Sequence, residues 1–125
     1  MPVKGKIINY FGPHKNTKLN VVNFQSGIVI KADRGEPIRA VFNGQILYAD
    51  WFKGYGNMII IDHGENYYTV YAHAEELFAS KGDTIDMGDV VATVGDSGSM
   101  IGPSLHFEVR HHGKPMDPVK WMKKG

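Results

Sequence analysis

Two histidines stand where the alternation of this chain would put imidazoles to work. In Gly102-Pro103-Ser104-Leu105-His106-Phe107-Glu108-Val109-Arg110, a strand would send Leu105, Phe107 and Val109 into a core. Ser104, His106, Glu108 and Arg110 would then share the opposite face. An imidazole at 106 can move protons near neutral pH or ligate a metal. A second histidine at 104 would place two rings side by side over one ion or substrate, but the residue there is serine. Ser104 beside His106 raises nucleophilic catalysis, which also needs a group to orient the imidazole and a strained elbow to present the hydroxyl. Glu108 is the one carboxylate at hand, and no elbow motif precedes the serine. In Tyr67-Tyr68-Thr69-Val70-Tyr71-Ala72-His73, the same alternation groups Tyr67, Thr69, Tyr71 and His73 against Tyr68, Val70 and Ala72.

The elements that must hold these side chains are strands. Fifteen glycines and six prolines punctuate short β-branched and aromatic runs, the pattern of an all-β chain. Strands are expected at residues 6–10, 28–31, 38–40, 45–50, 58–62, 67–72, 90–94 and 105–110. Helix is confined to one turn at 75–78 and another at 118–122, where Asp117 caps and Pro118 takes the first position. A weak echo links 35–46 with 82–90, each a strand, a glycine turn and a returning strand, as any two hairpins would. The loop 96–102, with apolar Met100 and Ile101, reads as a rim beside the organising strand. Trp51 and Trp121 read as packing a core edge or covering exposed apolar surface.

Composition bounds the rest. The 125 residues suit one domain with a modest core. With 42% hydrophobic and 22% charged residues, disorder is not expected. A formal charge of +1 supplies no basic field for nucleic acid. Cysteine is absent, which removes disulfides and thiolate metal sites. No apolar run is long enough to insert in a membrane, and residues 1–6 lack the apolar segment of a signal peptide. Met-Pro followed by a strand reads as the boundary of an excised domain.

The block G-P-S-L-H-F-E-V-R, the earlier G-Y-G-N at 54–57 running through to Y-A-H at 71–73, and Pro115-Met116-Asp117-Pro118 together resemble, in order and spacing, the lysostaphin-type (LytM-like) zinc peptidases, which cut peptide cross-links in bacterial cell walls. The resemblance runs from about residue 7 to residue 121. It implies a mostly β fold, the LytM-like (duplicated hybrid motif) antiparallel β-sandwich or barrel-like domain, with a central groove. It also implies three zinc ligands: a histidine and an aspartate four residues apart in an early strand, and the second histidine of H-x-H. Two further histidines, the first of H-x-H and that of Y-A-H, would handle protons and the developing oxyanion.

Matched position by position, the resemblance puts Gln25 where the ligand histidine belongs, Val29 where the ligand aspartate belongs, and Ser104 where a catalytic histidine belongs. A neutral amide is a poor zinc donor and an isopropyl group is none, while a hydroxyl cannot buffer protons near pH 7. His73 and His106 are the retained relics. Loss of even a group that only hydrogen-bonds a ligand weakens metal binding about 10 to 100-fold, so loss of two ligands should abolish it. No zinc or other cofactor is therefore expected, and no peptidase reaction. Relocated ligands from His14, His63, His111, His112 or Asp33 would have to converge tetrahedrally.

Within the family, the P-S-L-x-F-E-[IV]-R and G-[MI]-V-I blocks are similar to those of the EnvC-type murein hydrolase activators, degenerate relatives that stimulate cell-wall amidases. What this implies is a partner-binding groove formed by Val29, Tyr71, His73, Ser104, His106 and Arg110, receiving a helix of an N-acetylmuramoyl-L-alanine amidase. Exposed Tyr and Arg beside apolar surface are enriched in binding hot spots. The resemblance further implies an extracytoplasmic, periplasmic setting and a longer exported parent with this domain at its C-terminal end. A module that holds peptidoglycan without cutting it, and an active zinc endopeptidase, are the alternatives.

Overall fold

The computed structural model describes residues 1–124. Twelve strands and one helix follow in order: β1 (Lys6–Asn9), β2 (Gly12–Asn16), β3 (Val21–Gln25), β4 (Ile28–Lys31), β5 (Pro37–Arg39), β6 (Gly44–Phe52), β7 (Gly56–Gly64), β8 (Tyr67–Leu77), β9 (Thr84–Ile85), β10 (Val90–Val94), β11 (Ser104–His111), β12 (Lys114–Met116) and α1 (Pro118–Lys124). The main sheet runs β1-β4-β11-β8-β7-β6-β9, with β10 joining β8 to β5 and β12 on β11, while β2 and β3 pair separately. Every pairing is antiparallel. The fold is the mostly β architecture expected.

One face of the sheet makes the core. On β11, Leu105, Phe107 and Val109 are fully buried, and they meet Ile28 and Ile30 of β4, Tyr71 of β8, and Ile59 and Ile61 of β7. Burying each such side chain is worth about 1.5–3 kcal/mol. The other face carries Val29, His106, Ala72 and Val70, set side by side because Val29 pairs with His106 and His106 with Ala72. Residues directly paired across antiparallel strands share a face.

One local expectation is corrected, and two features were not foreseen. The helical turn at 75–78 is strand: β8 continues to Leu77 because Ala74 and Leu77 pair with Val94 and Ala92 of β10. Ladder hydrogen bonds here outweigh the weak helical preference of Glu75-Glu76-Leu77. The stretch 12–25 forms the β2–β3 hairpin, which no periodicity announced. Trp51 is more than half exposed, whereas Trp121 packs against the core from α1. Helix α1 starts as expected, with the Asp117 carboxylate accepting from the Val119 N–H at 3.0 Å.

Candidate functional site

The site is built around Glu108. Its side chain is fully buried, lies between His106 and Arg110 on the non-core face of β11, and is the hub of four contacts. His106 Nε2 lies 2.7 Å from Oε2, and Arg110 Nε donates to Oε1 at 2.7 Å. The Ser26 hydroxyl donates to Oε2 at 3.0 Å and the Tyr55 hydroxyl at 3.1 Å. Burial alone would raise this carboxyl, but the hydrogen bonds and charges of His106 and Arg110 outweigh it and hold the value at about 2. Desolvation, and after it the same buried charge, pushes the Tyr55 phenol up.

His73 reaches the same face by a bulge. Between the pairs Asn57 with Ala74 and Ile59 with Tyr71, β8 holds one residue more than β7, and His73 sits there at φ 65°. The extra residue reverses the alternation, so the ring comes within 6.2 Å of the His106 ring although Tyr71, two residues earlier, points into the core. His73 N donates to Tyr55 O, and Nδ1 lies 2.8 Å from Ser97 O. Partial burial lowers its pKa.

The register thus separates the six expected groove residues. Val29, His73, His106 and Arg110 share the groove face. Tyr71 does not: it is fully buried against Phe107, with its hydroxyl 2.9 Å from Thr69 Oγ1 and 3.3 Å from Val41 N, and burial pushes it up to about 12. Tyr67 likewise leaves the groove, stacking on His111 at 3.9 Å. Ser104 is buried, its hydroxyl donating to Gly102 O at 3.2 Å and its N–H to Gly95 O, so it presents neither nucleophile nor contact surface. Gln25 closes β3 opposite Gly12, next to Ser26. Arg110 is held by Glu108 rather than standing free.

Beyond Glu108 and Arg110 the face opens into an apolar trough of about 370 Å³, floored by Met58, Ile60, Tyr68 and Val70 and walled by Tyr48 and Phe52. Sequence reasoning passed over this trough, Tyr55 and Ser26. The signal for the trough was the unbroken run Met58-Ile59-Ile60-Ile61, apolar on both faces where one face alone meets the core. Tyr55 lies inside the G-Y-G-N motif at 54–57, which marked the position without its role, and for Ser26, 82 residues from Glu108, the sequence carried no signal.

A zinc centre of the kind implied by the motifs needs three convergent donors and an open position. Position 29 presents an isopropyl group directly opposite His106, and the Nε2 of His106 already faces Glu108. Among the described residues no group of three His, Cys, Asp or Glu side chains converges as a metal cage. His14 Nε2 lies against Tyr10 O, His63 sits between Asn43 O and Thr69 Oγ1, and His111 stacks on Tyr67. The donors present do not fit zinc.

Comparison with known proteins gives the same frame. The model of peptidase family M23 matches residues 23–118. The murein hydrolase activator EnvC of Escherichia coli K12 is 31% identical over 121 residues, 97% of this chain and 28% of that protein. The murein hydrolase activator NlpD of the same organism is 33% identical over 122 residues, 97% of this chain and 30% of that protein. The chain thus spans less than a third of the length of these curated relatives. Among solved structures, a zinc-containing peptidase from Vibrio cholerae superimposes with a TM-score of 0.86 at 28% identity, covering 93% of this chain and 37% of that one. The catalytic domain of lysostaphin from Staphylococcus simulans shares the fold, with a TM-score of 0.82 at 23% identity over 95% of this chain and 92% of that one.

Proposed function

The chain belongs to peptidase family M23, and from that premise we propose that it is a non-catalytic member, using the emptied groove to bind and activate a cell-wall N-acetylmuramoyl-L-alanine amidase. The observation that carries this reading is the groove floor itself. Val29 occupies the place of a ligand beside His106, and the adjoining surface is apolar rather than catalytic. An apolar trough edged by an anchored arginine suits the burial of one face of a partner segment, a helix by resemblance to the activators. Docking would act on the amidase by drawing an inhibitory segment off its own active site. No zinc takes part in this chain's role.

The similarity to EnvC and NlpD, both named murein hydrolase activators, supports a cell-wall regulatory role, and with it work outside the cytoplasmic membrane in cell division and daughter-cell separation. The test is release of soluble fragments from purified sacculi by the amidase, with and without this protein. Stimulation is expected, and Val29→Glu should abolish it by placing a charge on the groove floor. Absence of stimulation by the wild type refutes the reading. Cleavage of cross-linked muropeptides by this chain alone, with stoichiometric zinc by elemental analysis, would replace it with the peptidase reading. Pelleting with sacculi in the absence of any amidase, together with no stimulation, would replace it with the wall-binding module.

A further inference from the structure

The charges on the groove face are unevenly settled. At the trough end, Arg110 is paired with Glu108, which His106 also contacts. At the opposite end, Lys6 of β1 and Lys31 of β4 stand directly across from each other. Lys31 lies two residues from Val29 on β4, so both lysines share the face of Val29 and His106. Both are exposed, and among the described residues neither has a carboxylate within ion-pair distance. The sequence deepens the imbalance: residues 1–32 contain five lysines and no acid, and all thirteen acids of the chain follow.

Like charges directly opposite on neighbouring strands destabilise a sheet. Lys6 and Lys31 therefore cost the free domain stability that a negative partner would return. We propose that they form the anion-receiving end of the groove, and that the docked partner segment is acidic at this end and apolar at the other. The inference rests on the docking role proposed above and adds the chemistry and direction of the occupant. Lys31 pairs with Ser104, four residues along β11 from Glu108, which pairs with Val70, and β1 lies three to four strands from β8 and β7, so at about 4.8 Å per strand and about 3.3 Å per residue the acid and the apolar anchors of the segment are separated by roughly 16 to 25 Å. A protein segment fits this surface better than a wall polymer, because the far end is an apolar trough suited to side chains and offers few polar groups to sugars.

The experiment measures binding and stimulation of the cell-wall amidases of the source organism, each purified, by wild type, Lys6→Glu, Lys31→Glu, the double variant, and Lys81→Glu as a control in the turn before β9. For an amidase that the wild type stimulates, the double variant should bind at least tenfold more weakly at 50 mM NaCl. The difference should shrink in 0.5 M NaCl, where exposed charges are screened, and Lys81→Glu should bind like wild type. Lys6→Glu alone, which turns a repulsive pair into an attractive one, should melt at the wild-type temperature or above while binding more weakly. That divergence excludes misfolding as the cause. Unchanged affinity and salt dependence in the double variant, with stimulation intact, overturns the inference and leaves the docking role standing. Failure of the wild type to stimulate any amidase overturns both. Loss of pelleting on sacculi by the double variant with amidase affinity intact would assign the lysines to wall carboxylates and likewise overturn it.

Discussion

Replacing Glu108 by glutamine keeps the shape of the groove and removes its one buried charge. In the folded protein this carboxyl is held near 2 rather than the ordinary 4.5. At about 1.4 kcal/mol per pH unit, that displacement corresponds to about 3 kcal/mol of stability at neutral pH. The value agrees with the usual 3–5 kcal/mol, roughly, for breaking one side of a buried ion pair. Because the folded value is depressed, the contribution is complete above the unfolded value near 4.5 and is lost as pH falls toward 2. Urea unfolding of wild type and Glu108→Gln from pH 8 to pH 2 should therefore show a gap of about 3 kcal/mol at pH 7 that closes across this window. In melting temperature the neutral-pH gap is roughly 10 °C for a domain of this size. His63, depressed by burial and in contact with Asn43 and Thr69 rather than Glu108, weakens both proteins alike below about 6.5, so its contribution cancels in the difference. A gap below about 1 kcal/mol at pH 7, or one that persists unchanged at pH 2, would refute the assignment of Glu108 as the hub of the floor.

Tyr71→Phe should cost about 1–3 kcal/mol in denaturant unfolding, since it strips a buried hydroxyl from Thr69 and Val41. In the wild type, ultraviolet titration should show Tyr71 ionising only at about pH 12. The double variant Gln25→His, Val29→Asp should gain stoichiometric zinc by elemental analysis where the wild type should hold none, because position 29 already lies beside His106; failure to gain it would place the missing ligands elsewhere. Gly56→Ala should destabilise by more than about 2 kcal/mol: at φ 66° a Cβ is strained, and it would run into the Ser97 carbonyl.

Alternation read the faces of β11 correctly because that strand is regular along its whole length: Leu105, Phe107 and Val109 are core, and His106, Glu108 and Arg110 are not. The same rule misassigned β8. It linked Tyr71 to His73 by their spacing of two, but the bulge at His73 breaks parity, and a bulge leaves no mark in a run of tyrosines and alanines. Tyr68 and Val70, placed on the far face by that reading, line the trough. The motifs singled out His73 and His106, and the resemblance named Gln25, Val29 and Ser104 as replaced positions. The carboxylate that now organises them was seen only as a possible orienter of His106, because its other partners arrive from β6–β7 and from the end of the β2–β3 hairpin, far away in sequence.

The satisfied state of this floor decides how it can recognise anything. Among the described residues, no buried side-chain nitrogen or oxygen lacks a hydrogen-bond partner. A docking segment therefore gains little from new polar bonds to Glu108, His106 or Ser26, since each would first have to give up an existing one. What remains on offer is apolar area in the trough, which supplies affinity, and the uncompensated charge of Lys6 and Lys31, which supplies direction. A segment bound the wrong way round would bury its acid against Ile60 and Val70 and leave its apolar residues over two lysines. With Arg110 at the trough edge already held by Glu108, burial of a further carboxylate there costs several kcal/mol, which disfavours the reversed orientation. The order of acid and apolar residues in the partner should therefore be fixed, and inverting it in an otherwise unchanged segment should abolish docking at any salt concentration.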